Sequence, residues 1–118
     1  MQIIYSTKEL SKKFTNYKSI KKEYGKKNAL KIYKTINFLK ASPNIGEIAN
    51  ISSYRIIKSK KVFNEYYLLK PLCESGIAFV FTSFSKEGEI LHKGKNIFDE
   101  SIDQSKIYIK GVLKENEI

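Results

Sequence analysis

The apolar residues of this chain change period once, and that change limits the folds open to it. Up to Leu39 they recur every three or four residues, whereas beyond Pro43 they come in short runs of the kind that form strands. A β-type opening, Gln2 to Tyr5, precedes the helical part. Ser6-Thr7-Lys8-Glu9 then fits a capping box with Ser6 at the N-cap, and Leu10, Phe14, Tyr17, Ile20 and Tyr24 continue at helical spacing to a stop at Gly25. A second helix is expected over about 26–40, with Ala29, Ile32, Tyr33, Ile36 and Leu39 as its apolar stripe and Lys27, Lys31 and Lys34 on the opposite face. Phe38 falls on the lysine side, which suits either a contact at the helix end or contact with a partner. Pro43 disfavours helical backbone at Ser42 and closes the segment.

The strand-like part begins with residues 53–58 and 64–70, which flank a basic turn, Ser59-Lys60-Lys61. Residues 77–84 form the most apolar run and read as a central strand. A polar stretch, 86–105, separates it from a final strand over 106–113. This order predicts an α+β fold, with two N-terminal helices packed on one face of a mostly antiparallel β-sheet. A length of 118 residues suits one domain, 1–118, around one core. With 42% apolar residues and 13% aromatics the chain is not a disordered basic tail.

Charge is the second constraint. Residues 1–40 hold eleven lysines against Glu9 and Glu23, a balance of +9 within a net charge of +10. Charge gathered on one helical segment points to a polyanion: nucleic acid, an anionic membrane or an acidic protein. Lys12, Lys13, Lys21, Lys22, Lys27, Lys31 and Lys34 are the candidate nucleic-acid-binding residues. Lysine outnumbers arginine by 21 to 1, which favours point-charge attraction to a phosphate backbone over bidentate base reading. A membrane surface fits less well, because the chain has no tryptophan and its apolar stripe is needed for the core. One cysteine, Cys73, and one histidine, His92, allow no internal disulfide and no multi-histidine or multi-cysteine metal site. No metal or cofactor is expected, and a reducing cytoplasm is the expected compartment. The N-terminus is too poor in apolar residues for a signal peptide, and no apolar run approaches a membrane span.

No established catalytic motif is present. One cluster has chemical interest: Arg55, Lys58, Lys60 and Lys61, followed by Tyr66 and Tyr67, in a segment (53–70) that carries five cations and one acid. Cleavage of RNA through the ribose 2′-hydroxyl needs a group to take the hydroxyl proton, charge to stabilise the phosphorane and an acid for the leaving oxygen. Lysines and arginine supply the charge, and a lysine crowded by other cations can act as a base. Tyr66 and Tyr67 face opposite sides of their strand, so one suits the core and the other, Tyr67 being the candidate, suits stacking on an unpaired base. A Lys-Lys turn equally suits a solvated hairpin edge. His92 reads either as a surface residue or as a catalytic base, and Lys114 and Glu115 either as a polar tail or as proton-transfer groups beside the 58–61 turn.

The residues Ile4-Tyr5-Ser6-Thr7-Lys8, Tyr24-Gly25-Lys26-Lys27-Asn28-Ala29-Leu30-Lys31-Ile32, Ile36-Asn37-Phe38-Leu39-Lys40-Ala41-Ser42-Pro43-Asn44 and Ile109-Lys110-Gly111-Val112-Leu113 stand in this order along the chain. In that order the chain resembles the HigB branch of the RelE/ParE toxin superfamily, the plasmid maintenance system killer type. The resemblance implies a toxin of a type II toxin–antitoxin system: an endoribonuclease that cuts messenger RNA on the ribosome and is neutralised by a HigA-like antitoxin encoded beside it. It also implies a cleft of basic and aromatic residues from the central strands and the C-terminal region. Where many similar chains run into Asp-Tyr-His, this one reads Lys114-Glu115-Asn116. That departure keeps two alternatives open: a non-enzymatic ParE-like toxin directed at gyrase, and a catalytically degenerate module that binds nucleic acid or a partner.

Overall fold

The computed structural model describes residues 1–50, 54–58, 66–71, 76–91 and 102–118. The elements run β1 (Gln2–Tyr5), α1 (Lys8–Phe14), α2 (Tyr17–Ala41), α3 (Ile45–Ala49), β2 (Tyr54–Lys58), β3 (Tyr67–Pro71), β4 (Ile77–Ser85) and β5 (Ile102–Lys114), with a closing 3₁₀ turn at Glu115–Glu117. The five strands form one sheet in the order β1-β5-β4-β3-β2. All neighbours are antiparallel except β1 and β5, which run parallel with Gln2 opposite Lys106 and Tyr5 opposite Ile109. The fold is α+β, as the change of period predicts, and β4 is its central strand.

Thr7, rather than Ser6, caps α1, its side-chain oxygen accepting from the Leu10 amide at 3.1 Å. Ser6 is still held by the sheet, since its amide donates to the Ile109 carbonyl at 3.0 Å. A sheet-bonded residue has no freedom to turn its side chain back over the helix start, so the cap moves one residue on. The expected first helix is also broken at Thr15. The Thr15 hydroxyl donates back to the Ser11 carbonyl at 2.7 Å, and the Asn16 side chain accepts from the Lys18 amide at 3.0 Å, starting α2. Short polar side chains offer the backbone these local alternatives to a continuing helix.

Gly25 interrupts α2 with φ of 83°, so the helical path stops there and restarts at a new angle. Beyond it Ala29, Ile32, Ile36 and Leu39 are buried, but Tyr33 is 46% exposed and leans edge-on against Tyr17 with ring centres 5.7 Å apart. Its place in the stripe is taken by Thr35, which is buried on the same helix. Phe38 stacks on Tyr54 at 4.9 Å, and so makes the helix-end contact rather than facing away from the protein. α3, which the residue pattern does not announce, inserts Ile45 and Ile48 into the same core.

Alternation along the strands separates two faces. Tyr54, Ile56, Tyr67, Leu69, Ile77, Phe79, Phe81, Ile107, Ile109 and Val112 face the helices and form the main core with Phe14, Ile20 and the α2 stripe. The opposite face carries a smaller cluster, Leu68, Ala78 and Val80, with Ile57, Tyr66, Leu113 and Ile118 packed around it. β4 is buried on both faces from Ile77 to Phe84, which accounts for its near-continuous apolar run. β5 begins at Ile102, earlier than its apolar residues suggest, because Phe84 pairs with Asp103 and Ser85 with Ile102 across a bulge.

Gly25 lies in the left-handed region with open space where a Cβ would stand, so the cost of a side chain there is conformational rather than steric crowding. Gly25→Ala is expected to lower unfolding free energy by about 1–2 kcal/mol, read from the denaturant midpoint at unchanged slope. Wild-type stability in that variant would show that the left-handed break is not required.

Candidate nucleic-acid interface

Two basic surfaces lie on opposite sides of the molecule. The first is the outer side of α1 and α2, where Lys12, Lys21, Lys22, Lys27 and Lys34 are exposed and Lys31 is half-buried. Lys13 is tied down: its ammonium bonds both Glu23 oxygens, at 2.9 and 3.0 Å. This pair bridges α1 to α2 across the break at Thr15. The Lys13 bond, chiefly, holds the Glu23 carboxyl below its ordinary value near 4.5. A shallow depression beside it is lined by Glu9, Lys12, Asn16, Ser19 and Lys22.

The second surface is the sheet face that looks away from the helices. Arg55 on β2 is exposed and stands directly opposite Lys70 on β3. By alternation both project on the side of Ile57 and Leu68. Two cations facing each other across adjacent strands repel, and a bound anion between them would reverse that penalty. Tyr66 packs against the same cluster, and Tyr108, opposite Thr82, leans edge-on against Phe84 at 5.8 Å. The end of the chain also reaches this face and brings Ile118 onto the cluster of Leu68, Ala78 and Val80.

The proposed catalytic residues do not all converge. Tyr67 is half-buried on the helix side, tilted against Phe81 with ring centres 6.0 Å apart, so the tyrosine on the opposite face is Tyr66. Lys58 closes β2 with its Cα opposite Tyr67. Lys60, Lys61 and His92, and also Cys73, lie outside the described residues. Lys114 and Glu115 are exposed at the far end of the sheet. The row through Lys58, Tyr67 and Phe81 meets β5 at Ile109, whereas Lys114 pairs with Ile77. Five residues along the strand and three strand spacings separate Lys58 from Lys114 by roughly 20 Å. The end of β5 therefore does not sit beside Lys58.

At that far end a separate cluster forms. β1 stops at Tyr5, and among the described residues no strand pairs with that edge of β5 from Lys110 onward. Tyr24, set by the Gly25 break, donates its hydroxyl to the Val112 carbonyl at 2.8 Å, and the Lys114 ammonium sits 5.5 Å over the Tyr24 ring. Burial first, and then the charge of Glu23, hold the Tyr24 phenol well above its ordinary value, so it remains a hydrogen-bond donor. The Lys114 amide donates to Glu117 Oε1 at 2.8 Å.

Sequence reasoning gave Lys70 and Tyr24 no part in a site, and of Tyr66 and Tyr67 it favoured the one that the structure turns toward the helices. Lys70 becomes visible only with the β2–β3 register, which sets it opposite Arg55. Among the described residues, no group of three or more His, Cys, Asp or Glu side chains could hold a metal, and no helix is long and apolar enough to cross a membrane. The chain matches no protein-family model, no curated protein and no solved structure.

Glu23 gives this region a pH dependence of known sign. Its folded value is depressed, so its contribution is present above pH 4.5 and is lost as pH falls through the lower folded value. The pair is partly exposed, so the effect should stay under about 1 kcal/mol. Glu23→Gln should flatten stability between neutral pH and pH 3 relative to wild type, as followed by urea unfolding. Parallel pH profiles would show that the Lys13–Glu23 pair carries no net stability.

Proposed function

We propose that this chain is the toxin of a toxin–antitoxin pair, a ribosome-dependent endoribonuclease that stops translation by cutting messenger RNA. The observation that carries this reading is the division of charge: a lysine-covered helix layer on one side, and Arg55 with Lys70 beside apolar and aromatic side chains on the other. The lysine layer suits the RNA backbone of a ribosome, where attraction needs no base reading. The β2–β3 end of this sheet face suits a single strand, with Arg55 and Lys70 against phosphate and the half-buried Tyr66 beside them.

In this reaction the 2′-oxygen of one ribose attacks the adjacent phosphorus and the 5′-oxygen of the next nucleotide leaves. A base takes the 2′-hydroxyl proton and an acid gives one to the departing oxygen, yielding a 2′,3′-cyclic phosphate and a 5′-hydroxyl. Arg55 and Lys70 serve as charge stabilisers. Lys58, Lys60, Lys61 and His92 remain the candidates for proton transfer. A neutralising antitoxin of the HigA kind would cover this basic protein with acidic segments.

A specific observation favours a second reading. Lys114 and Glu115 stand far from Lys58, where the chain already departs from the Asp-Tyr-His ending of similar toxins. A toxin without nuclease activity, directed at gyrase in the ParE manner, or a plain binding module, fits that arrangement.

Expression without the neighbouring antitoxin should arrest growth and create new messenger 5′ ends phased to codons. Lys58→Ala/Lys60→Ala/Lys61→Ala and, separately, Arg55→Glu should abolish both. Arrest with intact messenger and induced DNA damage would establish the gyrase-directed reading instead. Unimpaired growth with salt-sensitive RNA binding would leave the binding module.

A further inference from the structure

β5 pairs with β1 only as far as Ile109, yet it continues to Lys114. An uncovered strand edge is a template for another chain unless something satisfies its polar groups. Here side chains do so: the Ser6 hydroxyl donates to the carbonyl of Lys110 at 3.4 Å, and two more act further along. The Tyr24 hydroxyl donates to the carbonyl of Val112, and Glu117 accepts from the amide of Lys114. In a parallel ladder one residue donates to the carbonyl of position j−1 and accepts from the amide of position j+1. Val112 and Lys114 stand in that relation. Tyr24 and Glu117 together therefore imitate a single residue of a strand running parallel to β5, in line with β1.

The place they fill opens into a cleft of about 270 Å³ lined by Lys13, Tyr24, Lys110, Val112, Lys114 and Glu117. Lys110 and Lys114 are both exposed at its rim, and Lys13 is the only one of these cations held by a carboxylate pair among the described residues. If Glu117 lifts away, three lysines face Glu23 alone. We propose that the β5 edge from Lys110 to Lys114 is a docking site for an extended acidic segment of a partner protein, which adds as a parallel strand and displaces Glu117 and the Tyr24 hydroxyl. Main-chain bonding supplies the affinity and the lysines select acidic side chains. A polynucleotide fits less well, because its phosphodiester backbone offers acceptors but no regularly spaced N–H for Val112. The site does not depend on the chain being a nuclease.

The test is an amide NMR titration of the full chain with an eight-residue peptide of alternating valine and glutamate, beside the same peptide N-methylated at alternate amides and an eight-nucleotide uridine RNA. The expected result is saturable shifts centred on Gly111, Val112 and Lys114 with the plain peptide, and none there with the N-methylated one. Lys110→Glu/Lys114→Glu should weaken binding by about tenfold. Tyr24→Phe and Glu117→Ala remove the internal competitors, and each should tighten it by about three- to tenfold. Equal binding of the N-methylated peptide would make the contact purely electrostatic and overturn the proposal. So would the absence of shifts at these amides, or their appearance with the RNA in place of the peptide.

Discussion

The pairing of β5 with two neighbours of opposite direction is the constraint on which the rest of this molecule depends. β4 lies antiparallel on one side of it and β1 parallel on the other, so the first strand of the chain is joined to its last. The helices carry the chain from β1 at one edge of the sheet to β2 at the other, and the antiparallel run from β2 to β5 brings it back beside β1. They must then pack on one side of the sheet, which leaves the other side with Leu68, Ala78 and Val80 as a minor cluster. The mismatch between a four-residue β1 and a thirteen-residue β5 leaves Lys110–Lys114, among the described residues, bonded on that edge by side chains rather than by a strand.

Lysine density on α1 and α2 works against stability within the fold, because like charges on neighbouring turns repel. Burial on the inner side offsets this: Phe14, Ile20, Ala29, Ile32, Ile36 and Leu39 are each at most 3% exposed. Burying a large side chain contributes roughly 1.5–3 kcal/mol, several times the repulsion of one exposed pair. The helix layer can thus carry a strong external field without losing its packing. That field and the cation pair on the opposite sheet face give the molecule two surfaces attractive to anions, separated by its core.

Aromatic residues connect these layers in a way that composition does not convey. Phe38 on Tyr54 ties the end of α2 to the edge strand β2, Tyr5 stacks on Phe14 at 6.0 Å where β1 meets α1, and Tyr24 reaches from α2 to β5. The Tyr5 hydroxyl is buried without a hydrogen-bond partner among the described residues, so its ring accounts for its value at that position. Gly25 matters here through its neighbour, since the turn it permits brings Tyr24 onto the strand edge.

The passage from helices to strands, the α+β class, the central position of β4, the stop at Gly25 and the basic helix layer were legible in the residues, because periodicity and turn chemistry are local properties, whereas α3 and the break at Thr15 were not. Ser6 and Thr7 were not separable as caps, since the choice depends on the bond from the Ser6 amide to Ile109, more than a hundred residues away. Tyr33 fits the helical stripe by spacing, but in the folded chain it is exposed and packs edge-on against Tyr17. The candidate site was legible in composition and not in arrangement. Arg55 stood out as the lone arginine, but its pairing with Lys70, the turning of Tyr67 toward the helices and the distance between Lys58 and Lys114 are matters of strand register and order. Local sequence determined which segments are helical, which are extended and where the charge lies. Only the tertiary structure decided which side chains meet, because a strand's neighbours are chosen by the burial of the whole sheet and not by any one segment within it.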